Sequence, residues 1–356
     1  MKRLYADIHK KIGDFSLDVL IESDAKRIGI LGASGSGKSL TLRSIAGIED
    51  VDSGHIELGG RTLFDSENRV DLRPQLRSVG YMFQNYALFP TMSVLKNVMA
   101  GLRGNKEENR AKAMEMLERF SMDGFEDRLP GELSGGQQQR AALARIMVTE
   151  PDIILLDEPF SALDGHLRDR MQAEMRDMLS DYSGQVVMVS HSRDELYRFS
   201  DELFVLKDGS IKGSGETKEL FRDPKNKETA RLTGCKNFSD VRRIDGHTLE
   251  ASDWGVTLRL KREIPENISC IGYRAHFFEP VWGERLENCI RFDMAGSDEL
   301  PFEMYYYVRP ENNEAESGSP GQLLRWFVQG DGQRQIEERG LPDYLKLKEE
   351  HIMLLE

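Results

Sequence analysis

The chain has 356 residues, 39% hydrophobic and 31% charged, which suits about two domains with a full core. Forty-eight basic against 61 acidic side chains leave a net charge of −13, a surface that repels a phosphate backbone and argues against nucleic acid as a partner. The apolar runs are strand-sized, far below the ~18 residues of a membrane-spanning helix, and the basic opening MKRLYADIHKK has no apolar stretch behind it, so no signal peptide is expected. Three scattered cysteines, Cys235, Cys270 and Cys289, form no C-x-x-C pair; they exclude a disulfide framework or structural zinc site and fit a reducing cytosol.

In chain order, Arg27 to Leu31 predicts a buried strand and Ser39 to Ala46 the helix behind it. Ser78 to Phe83, Asp152 to Leu156, Val186 to Ser190 and Glu202 to Leu206 predict further strands. Lys106 to Phe120 and Leu163 to Leu179 predict helices. In the second, Leu163, Leu167, Met171 and Met175 form one apolar stripe, read as core packing. Strands alternating with helices imply an α/β layer with a mainly parallel sheet. After Thr233 short alternating segments take over, at Val241 to Ile244, Val256 to Leu260, Ile268 to Phe278, Cys289 to Phe292, Tyr305 to Val308 and Arg325 to Gln329. They predict a small all-β domain, a barrel, with Pro310 to Gly321 as an exposed loop. The expected domains are 1–233 and 234–356.

Between the first strand and its helix stands Gly32-Ala33-Ser34-Gly35-Ser36-Gly37-Lys38-Ser39, a full match to G-x-x-x-x-G-K-[ST]. Phosphate needs several donors converging without obstruction. Glycines let successive backbone N–H groups curl round it, and the helix N-terminus adds its dipole. Lys38 is placed to reach the β- and γ-phosphates, and the Ser39 hydroxyl is the expected Mg²⁺ ligand. The apolar strand Ile153-Ile-Leu-Leu ends in Asp157 and Glu158. Alone, two such acids read as solvated helix caps; beside the glycine loop, Asp157 reads as a Mg²⁺ holder and Glu158 as the group that polarises the attacking water.

Leu133-Ser134-Gly135-Gly136-Gln137, followed by Gln138-Gln-Arg140-Ala-Ala-Leu-Ala-Arg145, resembles the signature of the ATP-binding-cassette (ABC) ATPases. The resemblance spans about residues 1–233 and holds the principal motifs in order. It implies a P-loop α/β ATPase fold that uses ATP and Mg²⁺. Ser161-Ala-Leu-Asp164 matches the D-loop, His191 the switch histidine and Gln84 the Q-loop glutamine. On that likeness His191 contacts the γ-phosphate and holds Glu158 and water, while Gln84 senses Mg²⁺ and water. Ser134, Gly135, Gly136 and Gln137, at a helix start, serve the ATP of a facing partner together with Asp164, so two cassettes close head-to-tail over two nucleotides. The family's adenine-stacking aromatic has no clear counterpart: Ile12 falls at its position, Phe15 and Tyr5 are candidate substitutes, Phe15 also alternates like a buried strand residue, and the adenine contact stays open.

Only ~95 residues separate the glycine loop from the signature, without sustained heptads, so a chromosome-type member with inserted coiled coils is excluded. A translation factor carries two cassettes and binds RNA, which fits one cassette of net acidic charge poorly. Transport subunits match better: a homodimer at the cytoplasmic face of the membrane, with separate permease subunits and, indirectly, an extracytoplasmic binding protein. The C-terminal segment, with Ile271-Gly-Tyr-Arg274-Ala-His276, resembles the OB-like, TOBE/Mop-type regulatory barrel of bacterial importer ATPases, and Arg77 to Pro90 is typical of that branch. The region before the glycine loop and Leu232-Thr-Gly-Cys-Lys-Asn237 look most like molybdate-import ATPases, with a sulfate/thiosulfate importer, or another anion, ferric or sugar importer, as the alternative. A regulatory oxyanion on the barrel would draw on Lys236, Asn237, Arg274 and His276 by residue type, which equally suit packing. Asn85 to Val94, around Phe89, is the expected docking surface for the permease.

Overall fold

The structure, a computed structural model, describes residues 3–161, 163, 165–311 and 323–356, with the backbone alone described for 165–167. In the first unit, Met1–Lys218, two textures of sequence build one sheet. The strands β1 (Leu4–Ile12) and β2 (Phe15–Ser23) alternate, burying Leu4, Ala6 and Ile8 against Leu17, Val19 and Ile21. The strand β3 (Arg27–Leu31) leads into α1 (Lys38–Ala46), and β4 (Ser53–Leu58), β5 (Arg61–Asp65) and β6 (Val70–Asp71) return as an antiparallel meander. Then come β7 (Val79–Met82), α2 (Val94–Met99), α3 (Lys106–Arg119), α4 (Gly135–Met147), β8 (Ile153–Asp157) and α5 (Gly165–Met178). The unit ends with β9 (Gln185–Ser190), α6 (Arg193–Phe199), β10 (Glu202–Lys207), β11 (Ser210–Glu216) and the start of α7 (Thr217–Arg222).

The sheet has 11 strands in the order β6-β5-β4-β1-β2-β11-β10-β3-β9-β8-β7. Only the block β10-β3-β9-β8-β7 is parallel throughout, and its central strands β8 and β9 are fully buried, which is why they read as unbroken apolar runs. The expectation of a mainly parallel sheet is thus corrected to a mixed one. The antiparallel half was not among the predicted elements, because polar and charged residues such as Asp7, Lys10, Asp18 and Glu22 interrupt its strands, which lack the unbroken apolar run. The parallel block places the carboxyl ends of β3, β8 and β9 side by side, with Leu31 opposite Ser190 and Asp157 opposite Val189.

The second unit, Glu219–Glu356, begins about 15 residues before the expected junction. The reason is packing: α8 (Lys227–Leu232) buries Ala230 with Cys235, Phe238, Cys270, Met353 and Leu355. Its strands are β12 (Asn237–Arg243), β13 (Thr248–Ala251), β14 (Val256–Arg259), β15 (Cys270–Tyr273), β16 (Glu279–Val281), β17 (Cys289–Leu300), β18 (Glu303–Pro310) and β19 (Leu324–Gln329). After α9 (Asp331–Arg339) come β20 (Tyr344–Lys346) and β21 (Met353–Leu355). They form two five-stranded sheets, β14-β13-β12-β15-β21 and β16-β20-β17-β18-β19, over a core that includes Trp254, Tyr273 and Trp326. Each sheet is open among the described residues, and α8 and α9 make the unit more than all-β. All three cysteines are free and buried, and burial pushes the Cys235 thiol up to about 11, as core residues should behave. Residues 312–321 of the expected loop lie outside the described residues.

Candidate functional site

The glycine loop leaves β3 at the carboxyl edge of the parallel block, the usual position of ligand sites in such sheets. Two of its glycines are sterically required. A Cβ on Gly32 would lie 2.5 Å from the Leu206 carbonyl oxygen, and Gly37, at φ 106°, would press a Cβ to 2.7 Å from Leu17. Ala33, Ser34 and Gly35 form the exposed lip, while Ser36 is buried and its hydroxyl has no hydrogen-bond partner among the described residues. The ring of Phe15 stands beside the loop, its Cζ 3.2 Å from where a Cβ of Gly37 would be.

Lys38 is 4% exposed. Its Nζ donates to the carbonyls of Gly32 and Ala33, both at 2.9 Å, and lies 3.5 Å from Glu158 Oε1. Burial pulls the ammonium's pKa down, against the opposing pull of the Glu158 carboxylate. The other oxygen of Glu158 meets His191 Nδ1 at 3.0 Å. Ammonium, carboxylate and imidazole therefore form one continuous chain across β3, β8 and β9.

Beside it lies a second chain. The Ser39 hydroxyl donates to Asp157 Oδ1 at 2.7 Å, and the Tyr81 hydroxyl donates to Oδ2 at 2.8 Å. Burial, and then the Asp157 charge, push the Tyr81 phenol far above its ordinary range, so it stays a donor. Tyr81 falls within the predicted strand Ser78 to Phe83, which by itself gives it no role. The available signal was strand register: Tyr81 lies opposite Leu155, two residues from Asp157. Ser39 and Asp157 offer hard oxygen donors at hydrogen-bond separation, a donor set that fits Mg²⁺.

Adjacent acids on a regular strand would point to opposite faces. Glu158 avoids this by a left-handed backbone at φ 45°, held where its N–H donates to Val189 O at 3.1 Å and Ser161 N–H and Oγ return to its carbonyl. Behind His191, Ser190 Oγ donates to the buried Glu195 at 2.6 Å and accepts from Ser192 N at 2.9 Å, which fixes the turn that carries the histidine. Burial pushes the Glu195 carboxyl's pKa up.

Other expected residues stand apart. Gln84 is exposed just beyond β7 and is not among the hydrogen-bonded groups of this cluster. Ser134 caps α4 in a capping box: its Oγ accepts from Gln137 N, and Gln137 Oε1 accepts from Ser134 N at 2.9 Å. Ser134 and Gly135 are exposed, and a Cβ on Gly136 would meet Met171 Sδ at 2.9 Å. Asp164 lies outside the described residues. In the second unit, Asn237 exchanges two hydrogen bonds with the Arg325 backbone, and the Arg274 guanidinium binds the carbonyls of Thr233 and Phe221. Both hold backbone groups of the second unit together, the packing role that residue type also allowed.

A glycine cradle with an ammonium, beside one carboxylate among hydroxyls and another against an imidazole, can bind a polyphosphate and polarise water at its terminal phosphorus. The ABC transporter family model matches residues 18–161. Over 253 residues the chain is 40% identical to the Fe(3+) ions import ATP-binding protein FbpC 1 of Rhizobium meliloti (strain 1021), across 68% of this chain and 70% of that protein. It also matches the dimeric structure of MJ0796, a bacterial ABC transporter cassette, with TM-score 0.51 and 28% identity over 61% of this chain and 99% of that one. A post-hydrolysis dimer of MJ0796 bound to ADP and Pi gives TM-score 0.50 at the same identity and coverage. No described helix is long and apolar enough to cross a membrane. Motifs, geometry and relatives agree, and the chain belongs to the ABC transporter family as an ATP-binding, ATP-hydrolysing subunit.

Proposed function

We propose that two copies of this chain close head-to-tail over two ATP molecules and drive import through separate permease subunits at the cytoplasmic face of the membrane. The observation that carries the catalytic half is the chain Lys38–Glu158–His191 beside the glycine loop. The loop N–H groups and Lys38, once drawn off its carbonyl partners, bind the β- and γ-phosphates. Glu158, oriented by His191, accepts a proton from the attacking water, and His191 steadies the γ-phosphate. Ser39 and Asp157 would hold Mg²⁺, which when bound neutralises charge on the β/γ oxygens; Tyr81 keeps Asp157 turned toward Ser39. Gln84, exposed on its loop, joins the site on closure.

The start of α4, where Ser134 and Gly135 are exposed, offers backbone donors to the partner's nucleotide, and the D-loop match assigns Asp164 to the same contact. The dimeric form of MJ0796 supports this pairing. Phe15, the aromatic residue next to Gly37, is the proposed base contact, with Ile12 opposite it on the hairpin.

For the cargo, the motif resemblance favours an oxyanion, molybdate first and sulfate/thiosulfate second, with the second unit as an OB-like regulatory domain. The 40% identity to an Fe(3+) import protein favours ferric ion instead. Uptake of labelled molybdate, sulfate and ferric ion in cells with and without the chain decides between them. Loss of molybdate uptake alone supports the first reading, and loss of ferric uptake alone replaces it. Purified chain that hydrolyses no ATP with Mg²⁺ present would refute the catalytic proposal.

A further inference from the structure

Beyond Gln84 the chain turns through two consecutive left-handed residues, Tyr86 at φ 59° and Ala87 at φ 44°. Neither is glycine, so the turn is strained and persists only where its surroundings hold it. One guanidinium holds both carbonyls: Arg145 Nη2 donates to Tyr86 O at 2.9 Å and Nη1 to Ala87 O at 2.7 Å. Arg145 stands in the last turn of α4, the helix that Ser134 caps, and its guanidinium lies 5.5 Å from the centre of the Phe89 ring.

The residues that follow are gripped from within. Asn97 of α2, fully buried, accepts from Phe89 N at 2.8 Å and donates to the carbonyls of Phe89 and Met92 at 3.1 and 3.0 Å. Phe89 itself remains 46% exposed, an aromatic face on a braced segment. On the inner side, the Tyr86 hydroxyl and Gln139 Nε2 of α4 both donate to the Pro159 carbonyl, at 3.4 and 3.2 Å. Pro159 directly follows Glu158.

We propose that Arg145 is a positioning residue whose fork makes the Phe89 segment and α4 one lever. Load applied at Phe89 then reaches Glu158 through the Pro159 carbonyl, and reaches Ser134 through the helix. The relay rests on the reading that the Phe89 face docks a permease. Lysine does not reproduce this contact, because the two carbonyls are met by two different nitrogens of a rigid planar fork, whereas lysine has one nitrogen on a flexible stem. Freed of the fork, the left-handed turn relaxes and the lever slips.

The test uses full-length chain, alone and reconstituted in liposomes with the membrane subunits that stimulate its ATPase. In Arg145→Lys, amide exchange across 84–93 should quicken about tenfold while 139–147 stays as in wild type. ATPase of the chain alone should stay within about twofold, and its stimulation by the membrane subunits should fall about tenfold. Adding Ala87→Gly, which adopts the turn without strain, should restore exchange protection and part of the stimulation. Unchanged exchange, full stimulation in Arg145→Lys, or a joint fall of basal and stimulated rates would each overturn the relay. A wild-type chain that no membrane subunit stimulates overturns the import reading and the relay with it. A stimulated wild type with an equally stimulated Arg145→Lys overturns the relay alone.

Discussion

Glu158→Gln separates two effects that the structure places on one carboxylate. With Lys38 Nζ at 3.5 Å, the gross attraction at an effective dielectric of about 20 is ~5 kcal/mol. Desolvation of the buried ammonium offsets most of this, leaving a net of order 1–2 kcal/mol. Without nucleotide, that attraction holds Lys38 back toward Glu158; ATP must draw it away. The amide keeps the size and a hydrogen bond for His191 but loses the charge. ATP should therefore bind about tenfold more tightly, equivalent to ~1.4 kcal/mol. Turnover should fall by about 10² to 10³, the loss typical when a charge-stabilising group is removed from such a site. A fluorescent-nucleotide titration reads the first effect and single-turnover hydrolysis the second. Hydrolysis within tenfold of wild type (roughly the scatter of a non-catalytic change) would refute the role of Glu158. Weaker ATP binding would refute its competition for Lys38.

Tyr81→Phe removes one of the two donors to Asp157, and should cost ~1.5 kcal/mol of stability while raising the Mg²⁺ needed for half-maximal ATPase about tenfold, read from urea melts and a Mg²⁺ titration. Arg77→Met strips donors from the carbonyls of Leu72, Ser44 and Ile45 at the end of α1, two of them buried bonds, and should cost ~3–5 kcal/mol in urea unfolding; the Asp71 partner, largely exposed, adds little. The phenols of Tyr81, Tyr182 and Tyr273 are all raised by burial above the ordinary 10.0, so the unfolded chain ionises first. Stability should therefore be fully present below about pH 9 and fall as pH rises past 10, with phenolate absorbance appearing together with unfolding. Ser134→Arg should leave ATP binding by one copy intact and block the ATP-bound dimer; a retained dimer on a sizing column would contradict the facing-partner arrangement.

The chemistry of the site was legible because phosphate binding is local: a strand, a glycine loop and a helix start are contiguous, and Lys38 and Ser39 needed no distant partner to be recognised. Asp157 and Glu158 were legible as the end of an apolar strand, and His191 as the residue after another. The antiparallel strands β1 and β2 were missed because polar and charged residues such as Asp7 and Asp18 interrupt them beside the louder parallel runs. The compact units divide at Glu219, ahead of the expected 234, because Ala230 of α8 is buried with Cys235 and Leu355, a packing that the local sequence does not display. Asn237 and Arg274 suited an anion or packing equally by residue type, and only the tertiary structure shows them bonded to the backbone of Arg325, Thr233 and Phe221.

Sequence alone determined the reaction class and the glycine loop, since those depend on residue type over a few consecutive positions. Tertiary structure alone decided which groups meet. Tyr81 reaches Asp157 across 76 positions, Glu158 turns inward through a left-handed backbone, and Arg145 spans 58 and 59 positions to two carbonyls. Such meetings follow from strand register and helix packing, which no short stretch of the chain encodes.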